Sequence, residues 1–444
     1  MPAAAATRRY LAQFEAFAGN GAAAAPQWLR EIRAAAIARF GELGFPTTHQ
    51  EEWRLTSVAP IAATAFTPAR AAGNADLPAA GVQPRREDGS ARLVFVNGRF
   101  DARVSSLAGL PPGVRAGGLA DALHGDQAGL VEQHLARHAP CAGSPFTALN
   151  TAFLRDGALV HVAEGVDLEM PIYLRFVATH SAKPAVCHPR TLIVVERDAR
   201  AAVVESYGGQ EGATYWTNAV TEVVVGDGAH LELVRPQQEA LSAYHVATTH
   251  TLQGRGSELR LHPMAFGAGL ARHDITNVLD GQGAELVLNG LYLVGGRQHA
   301  DHHTVIDHAQ SDCQSHEYFN GVLDGAARGV FSGRIIVRPG AQRTDSKQTN
   351  HNLVLSEEAR ADSQPQLEIY ADDVKCTHGA TLGPLDPKAL FYLQSRGLDR
   401  REARALLTYG FAAEIVGRLQ HAGLRGALDD VVRSRLADGN AGAA

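Results

Sequence analysis

The stretches "VVVGDGAHLELV" at 223–234, "TLQGRGSELRL" at 251–261 and "VLDGQGAELVL" at 278–288 are variants of one pattern. In each, an apolar run leads into Gly-x-Gly and a small residue, and an alternating apolar run follows. The second glycines, Gly228, Gly256 and Gly283, stand 28 and 27 residues apart. A degenerate copy, "VERDARAAVV", precedes them, centred near Ala199, and "VLDGAARGVFSGRIIV" and "VRPGAQRTD" continue the series with altered spacing. Alternation sends every second side chain to one face. A unit of two such runs cannot bury that face alone, whereas stacked units cover one another. The repeat therefore predicts a β-solenoid. A β-sandwich with hairpin turns is the alternative, but adjacent hairpins need not share a consensus.

The flanking zones read differently. Tyr10, Leu11, Phe14 and Phe17, then Trp28, Leu29, Ile32, Ala36 and Phe40, carry helical periodicity. An Ala-, Pro- and Gly-rich connector is expected over Phe66–Arg92, followed by a hairpin at "RLVFVNGRFD" turning on Asn97-Gly98. At the other end Asp386 and Pro387 open one helix, which stops at Gly397. Asp399 and Glu402 stand in capping-box spacing at the start of a second helix, expected to run to Gly423, and "ALDDVVRSRLAD" forms a third. The chain divides accordingly into residues 1–145 (helical region, connector and hairpin), 146–385 (β-solenoid core) and 386–444 (helical domain). An unpacked solenoid end exposes apolar surface, so the last helices are expected either to cap it or to hold a partner.

Composition narrows the function. The net charge of −6 and the lack of any Lys/Arg block argue against nucleic acid as a partner. No apolar stretch is long enough for a membrane span, and the N-terminus lacks the pattern of a secretory signal. Cys141, Cys187, Cys313 and Cys376 are scattered without C-x-x-C, which fits a reducing cytoplasm rather than a disulfide framework or a self-contained zinc or cluster site. P-loop, H-E-x-x-H and G-x-S-x-G motifs are absent.

Two constellations could carry chemistry. In "EIYADDVKCTHGATLG" Cys376 and His378 are two apart and share a face if the segment is a strand. Three readings stand: a buried small residue beside a turn-capping imidazole, a Cys-His nucleophile pair, or two ligands of a metal or cluster iron. One thiolate and one imidazole fall short of the usual cluster ligand set, so a second chain would have to complete it. In "QHADHHTVIDH" His299, Asp301 and His303 also share a face and are candidate metal ligands, with His302 and His308 on the opposite face. A solvated polar face is the alternative for that strand.

The run Tyr318–Gly383, with "GVLDGAARGVFSGRIIVRPGAQRTDSKQTNHNLVLS" and "PQLEIYADDVKCTHGATLG", then "LFYLQSRGL" and "LLTYGFAAEIV", closely resembles the SufB/SufD family of iron-sulfur cluster assembly proteins. "KCTHGAT" and "HQEEWRLT" (His49–Thr56) resemble the SufD branch rather than SufB. The resemblance implies a right-handed parallel β-helix flanked by N- and C-terminal helices. It also implies a non-catalytic scaffold in a cytoplasmic complex with a SufB-like subunit, paired through the β-helix, and a SufC-like ABC ATPase, docked on the C-terminal helices. ATP hydrolysis belongs to SufC in that scheme, and the cargo is a transient iron-sulfur cluster built between SufB and SufD. The family histidine at that interface matches His378 and the family cysteine matches Cys376, with Thr377 where the family usually has Ser. A flavin in the complex, and a homodimer of the chain alone, are left open. A β-helix carbohydrate-active enzyme and a purely structural scaffold are the alternative functions.

Overall fold

The computed structural model describes residues 2–19, 25–70, 77 and 89–439. Most of the connector expected over Phe66–Arg92 lies outside the described residues.

The repeat coils into a parallel β-solenoid with two walls. One wall runs from Gly157–Val162 through Arg190–Val195, Tyr215–Val225, Tyr244–Gln253, Leu270–Leu279, His299–His308 and Arg328–Val337 to Arg360–Ile369. The facing wall runs from Ile172–Ala178 through Arg200–Gly209, His230–Gln238, Glu258–Ala265, Glu285–Val294, Gln314–Leu323 and Thr344–Val354 to Val374–Gly383. In the second wall His230 pairs with Glu258 and Glu258 with Glu285, so the register advances by 28 and 27 residues, the interval of the glycines. The hairpin at 92–101 turns on Asn97 and Gly98, with φ of 54° and 77°, and its first strand, Arg92–Val96, lies parallel to Ile172–Ala178 as the first rung of that wall.

Gly228, Gly256 and Gly283 have φ of 66°, 60° and 74°, the left-handed conformation that a side chain disfavours. That twist aims each backbone N–H along the solenoid axis. Gly228 donates to the Arg255 carbonyl at 2.8 Å, Gly256 to Gln282 at 3.0 Å and Gly283 to Ser311 at 3.1 Å, so the turns form a ladder of their own. In the degenerate upstream copy the left-handed residue is Asp198 (φ 57°), one position before the expected Ala199, and it makes the equivalent bond to Asp227 at 2.9 Å. Aspartate tolerates this conformation better than alanine does.

Inward-facing residues form one continuous core from Leu93 and Phe95, through Val203, Leu233, Leu261 and Leu288, to Phe331 and Ile335. Each outer wall has its own cover. The N-terminal helices Pro2–Gly19 and Gln27–Leu43 pack Tyr10, Phe40 and Phe45, with Trp53, Phe66 and Phe146, around the fully buried Trp216 of the first wall. The C-terminal helices Arg400–Val416 and Ala422–Gly439 lay Ala412, Ile415, Leu424 and Leu428 over Val204, Val234, Phe266 and Leu291 of the second wall.

The last helices thus cover a flank and leave the solenoid end bare. The predicted helix to Gly423 also breaks early, at Val416. The break releases the backbone N–H of Gln420 to bond Glu232 of the solenoid at 2.7 Å, and Leu419 buries beside it. The Asp399/Glu402 capping box forms as expected, with reciprocal bonds of 2.8 and 2.9 Å. No helix among the described residues is long and apolar enough to cross a membrane.

Candidate functional site

The end of the solenoid is the candidate site. Arg360–Ile369 and Val374–Gly383 close the two walls, each pairing on one side only. Their other edges present unpaired backbone groups. Residues 377–382 are all exposed, and Ile369, Tyr370 and Leu382 are large apolar side chains left in solvent.

Three strands position the chemistry. Gln314–Leu323, Thr344–Val354 and Val374–Gly383 pair in register, so Ser315, Ser346 and Cys376 form one inward-facing file and Glu317, Gln348 and His378 the next. In the first file the Ser315 and Ser346 hydroxyls lie 2.7 Å apart, and His308 Nε2 reaches Ser315 Oγ at 2.8 Å. In the second, Gln348 Nε2 donates to Glu317 Oε2 at 2.5 Å. Buried Asn350 and Asn352 extend the polar lining, where earlier coils carry Leu259, Leu261, Leu286 and Leu288. Burial is the largest influence on Glu317 and pushes its carboxyl up to about 7.

Cys376 and His378 occupy the final rung. Both have the inward parity, and Cys376 packs half-buried against the core while His378 is exposed because no coil follows. Burial, and then the Asp345 carboxylate, push the Cys376 thiol above its ordinary value. A cation would have to draw the thiolate out. The nucleophile-pair reading gains nothing here, since neither residue bonds the other.

The second predicted constellation turns out to be a fastening point. Asp301 is buried and accepts from Thr56 Oγ1 at 2.5 Å and from Arg272 at 2.8 Å, and His303 Nε2 lies 3.1 Å from its other oxygen. Thr56 Oγ1 also lies 2.7 Å from His299 Nε2. Arg272 bonds the Glu52 carbonyl at 2.7 Å, pairs with Asp274, and stacks 3.7 Å from the centre of the Trp53 ring. Burial opposes ionisation of Asp301, but Arg272, His303 and the Thr56 bond outweigh it and hold the carboxyl below its usual range. The cation facing His299, Asp301 and His303 is therefore the Arg272 guanidinium. The "HQEEWRLT" box clamps onto the "QHADHHT" strand, a contact across 245 residues. Among the described residues, no group of three or more His, Cys, Asp or Glu side chains is arranged to hold a metal ion.

Other buried polar groups were also invisible in the sequence. Arg235 and Glu205 pair at 2.5 Å inside the bore, with Thr249 bonded to the same guanidinium at 2.9 Å. The pocket of about 460 Å³ between the second wall and the last helices is lined by Phe266, Leu293, Arg404 and Leu436. The helix Pro387–Ser395, N-capped by Asp386 on Lys388 N–H at 2.9 Å, buries none of its residues, leaving Phe391 and Tyr392 at 73% and 57% exposure.

Taken together, the fold and this end define a β-solenoid protein whose last coil carries an imidazole and a thiol where strand pairing is incomplete. The chain belongs to the SufB/SufD family: residues 176–411 match the family described as "SUF system FeS cluster assembly, SufBD core domain", and residues 4–174 match the SufBD protein N-terminal region. It is similar to an iron-sulfur cluster assembly SufBD family protein of Synechocystis, 33% identical over 89% of this chain and 88% of that one. It is also similar to the iron-sulfur cluster assembly proteins SufD of Escherichia coli, 29% identical over 86% of this chain and 87% of that one, and of Bacillus subtilis, 29% identical over 65% and 66%.

Proposed function

We propose that this chain is a SufD-type, non-catalytic scaffold subunit that joins a SufB-like subunit through the bare solenoid end and a SufC-like ATPase through its C-terminal helices, in the cytoplasm. The cargo is a nascent iron-sulfur cluster at the SufB-like interface, with His378 as the principal ligand from this chain and Cys376 as a secondary one. One observation carries the reading: the last coil keeps two unpaired edges and sets an imidazole and a thiol on the same face of its final rung. A partner strand laid along that edge would satisfy the backbone groups and bring its own ligands to the same place. Without that partner, a second copy of the chain can use the edge. The exposed Phe391 and Tyr392 supply an apolar patch for the ATPase, which performs the ATP hydrolysis.

The test is reconstitution with SufB-like and SufC-like subunits. His378→Ala is expected to lower the cluster yield, read by visible absorbance and iron content, while the three chains still co-elute. Cys376→Ser is expected to have the smaller effect. An unchanged yield in His378→Ala overturns the ligand role, and failure of the wild type to co-purify overturns the partnership.

A further inference from the structure

Gln348 is 1% exposed and lies between Glu317 and His378 in the register. Its amide nitrogen is committed to Glu317. Its amide oxygen is buried and has no hydrogen-bond partner among the described residues. A buried carbonyl oxygen without a donor is costly, on the order of 1–3 kcal/mol, so a donor is expected. Same-face side chains on adjacent strands are spaced about 4.8 Å apart, within reach of an amide and an imidazole. The next rung on that face holds the exposed His378, whose neutral ring has one N–H donor and one acceptor nitrogen.

Gly333, across the bore on Arg328–Val337, keeps this arrangement in place. A Cβ there would overlap Gln348 Nε2 and the ring of Phe331, so the missing side chain makes room for the amide. Glu317 and Gly333 together hold the amide group in place, with its nitrogen on Glu317.

We propose that Gln348 is the positioning residue for His378: its Oε1 accepts one imidazole N–H, fixes the tautomer and turns the other ring nitrogen outward, to the cargo iron. The inference rests on His378 being a ligand, yet it concerns the ring in the cluster-free chain. Metal-binding imidazoles ordinarily hold their second N–H in such a bond, which sets orientation and basicity.

Histidine labelled with ¹⁵N reads the tautomer directly in the cluster-free full chain, with His378→Ala used to assign the resonance. The wild type is expected to hold His378 in a single tautomer. Gln348→Met, which keeps the volume but removes the acceptor, is expected to give a mixture of the two. Gly333→Ala, which keeps Gln348 but displaces its amide, is expected to do the same, and it carries the test alone if Gln348→Met does not fold. In reconstitution each variant is expected to weaken iron retention about tenfold. An unchanged tautomer ratio overturns the proposal even where His378→Ala abolishes cluster formation. Altered tautomers beside a normal cluster yield in His378→Ala would uphold Gln348's role and remove the ligand reading instead.

Discussion

Glu285–Val294 and Val374–Gly383 are rungs of the same wall, built on the same alternation, and they differ in what lies beyond them. The first has a strand on either side, and its inward-facing Leu286 and Leu288 vanish from solvent. The second has one neighbour, and its inward-facing side opens at a rim where His378 and Leu382 are exposed. Alternation buries a face only when another coil arrives to cover it. The sequence adapts to the difference: leucines line the middle coils, and Ser346, Gln348, Asn350 and Asn352 line the approach to the rim. A middle coil is held by neighbours on both sides, whereas the last one is held on one side only.

The largest test of that contrast removes a charge from the middle. Arg235→Leu leaves Glu205 buried without its partner, and a loss of about 3–5 kcal/mol is expected in urea unfolding. His378→Ala should stay within about 0.5 kcal/mol in the same assay, as a substitution of an exposed residue. Next come the glycines. A Cβ at Gly281 would overlap the backbone of Gly254 and Arg255 in the adjoining turn, while one at Gly379 meets nothing within 4 Å. Gly281→Ala is expected to cost about 3 kcal/mol and Gly379→Ala next to nothing. Equal losses would show that the last coil is as tightly held as the middle ones.

The smallest effect concerns pH. An unfolded glutamate titrates near 4.3, while burial keeps Glu317 protonated up to about 7. Between those values the native chain holds a proton that the unfolded chain has released, so stability falls as pH rises through the window. The slope from this group approaches about 1.4 kcal/mol per unit. Unfolding measured from pH 5 to 8 should show that decline in the wild type and a flatter profile in Glu317→Gln. A partner that reaches the rim and supplies Gln348 or Glu317 with new bonds would shift the window.

Periodicity alone carried the solenoid, because the repeat is local: Gly228, Gly256 and Gly283 mark the turns wherever the coils travel. The same holds for the helix caps at Asp386 and Asp399, which bond within a few residues. Destinations were not legible. An amphipathic helix announces an apolar stripe but not the surface that receives it, so the flank cover by Ile415 and Leu428 could not be told from an end cap. His299, Asp301 and His303 do share the predicted side of a strand, but whether a metal or an arginine faces them depends on Arg272, a full coil away. Cys376 and His378 were conspicuous as a pair. Gln348 was not, since a glutamine thirty residues distant becomes a neighbour only once the register is known.

The clamp between Thr56 and Asp301 has a consequence for reach. It fastens the N-terminal helices to the strand His299–His308, and two further strands of that wall, Arg328–Val337 and Arg360–Ile369, stand between it and the end. At about 4.8 Å per coil, the tip of the solenoid projects roughly 10 Å past the clamped strand. Coil number is thus a ruler: excising one whole repeat would retract the tip by a single graduation while sparing the fittings at both ends.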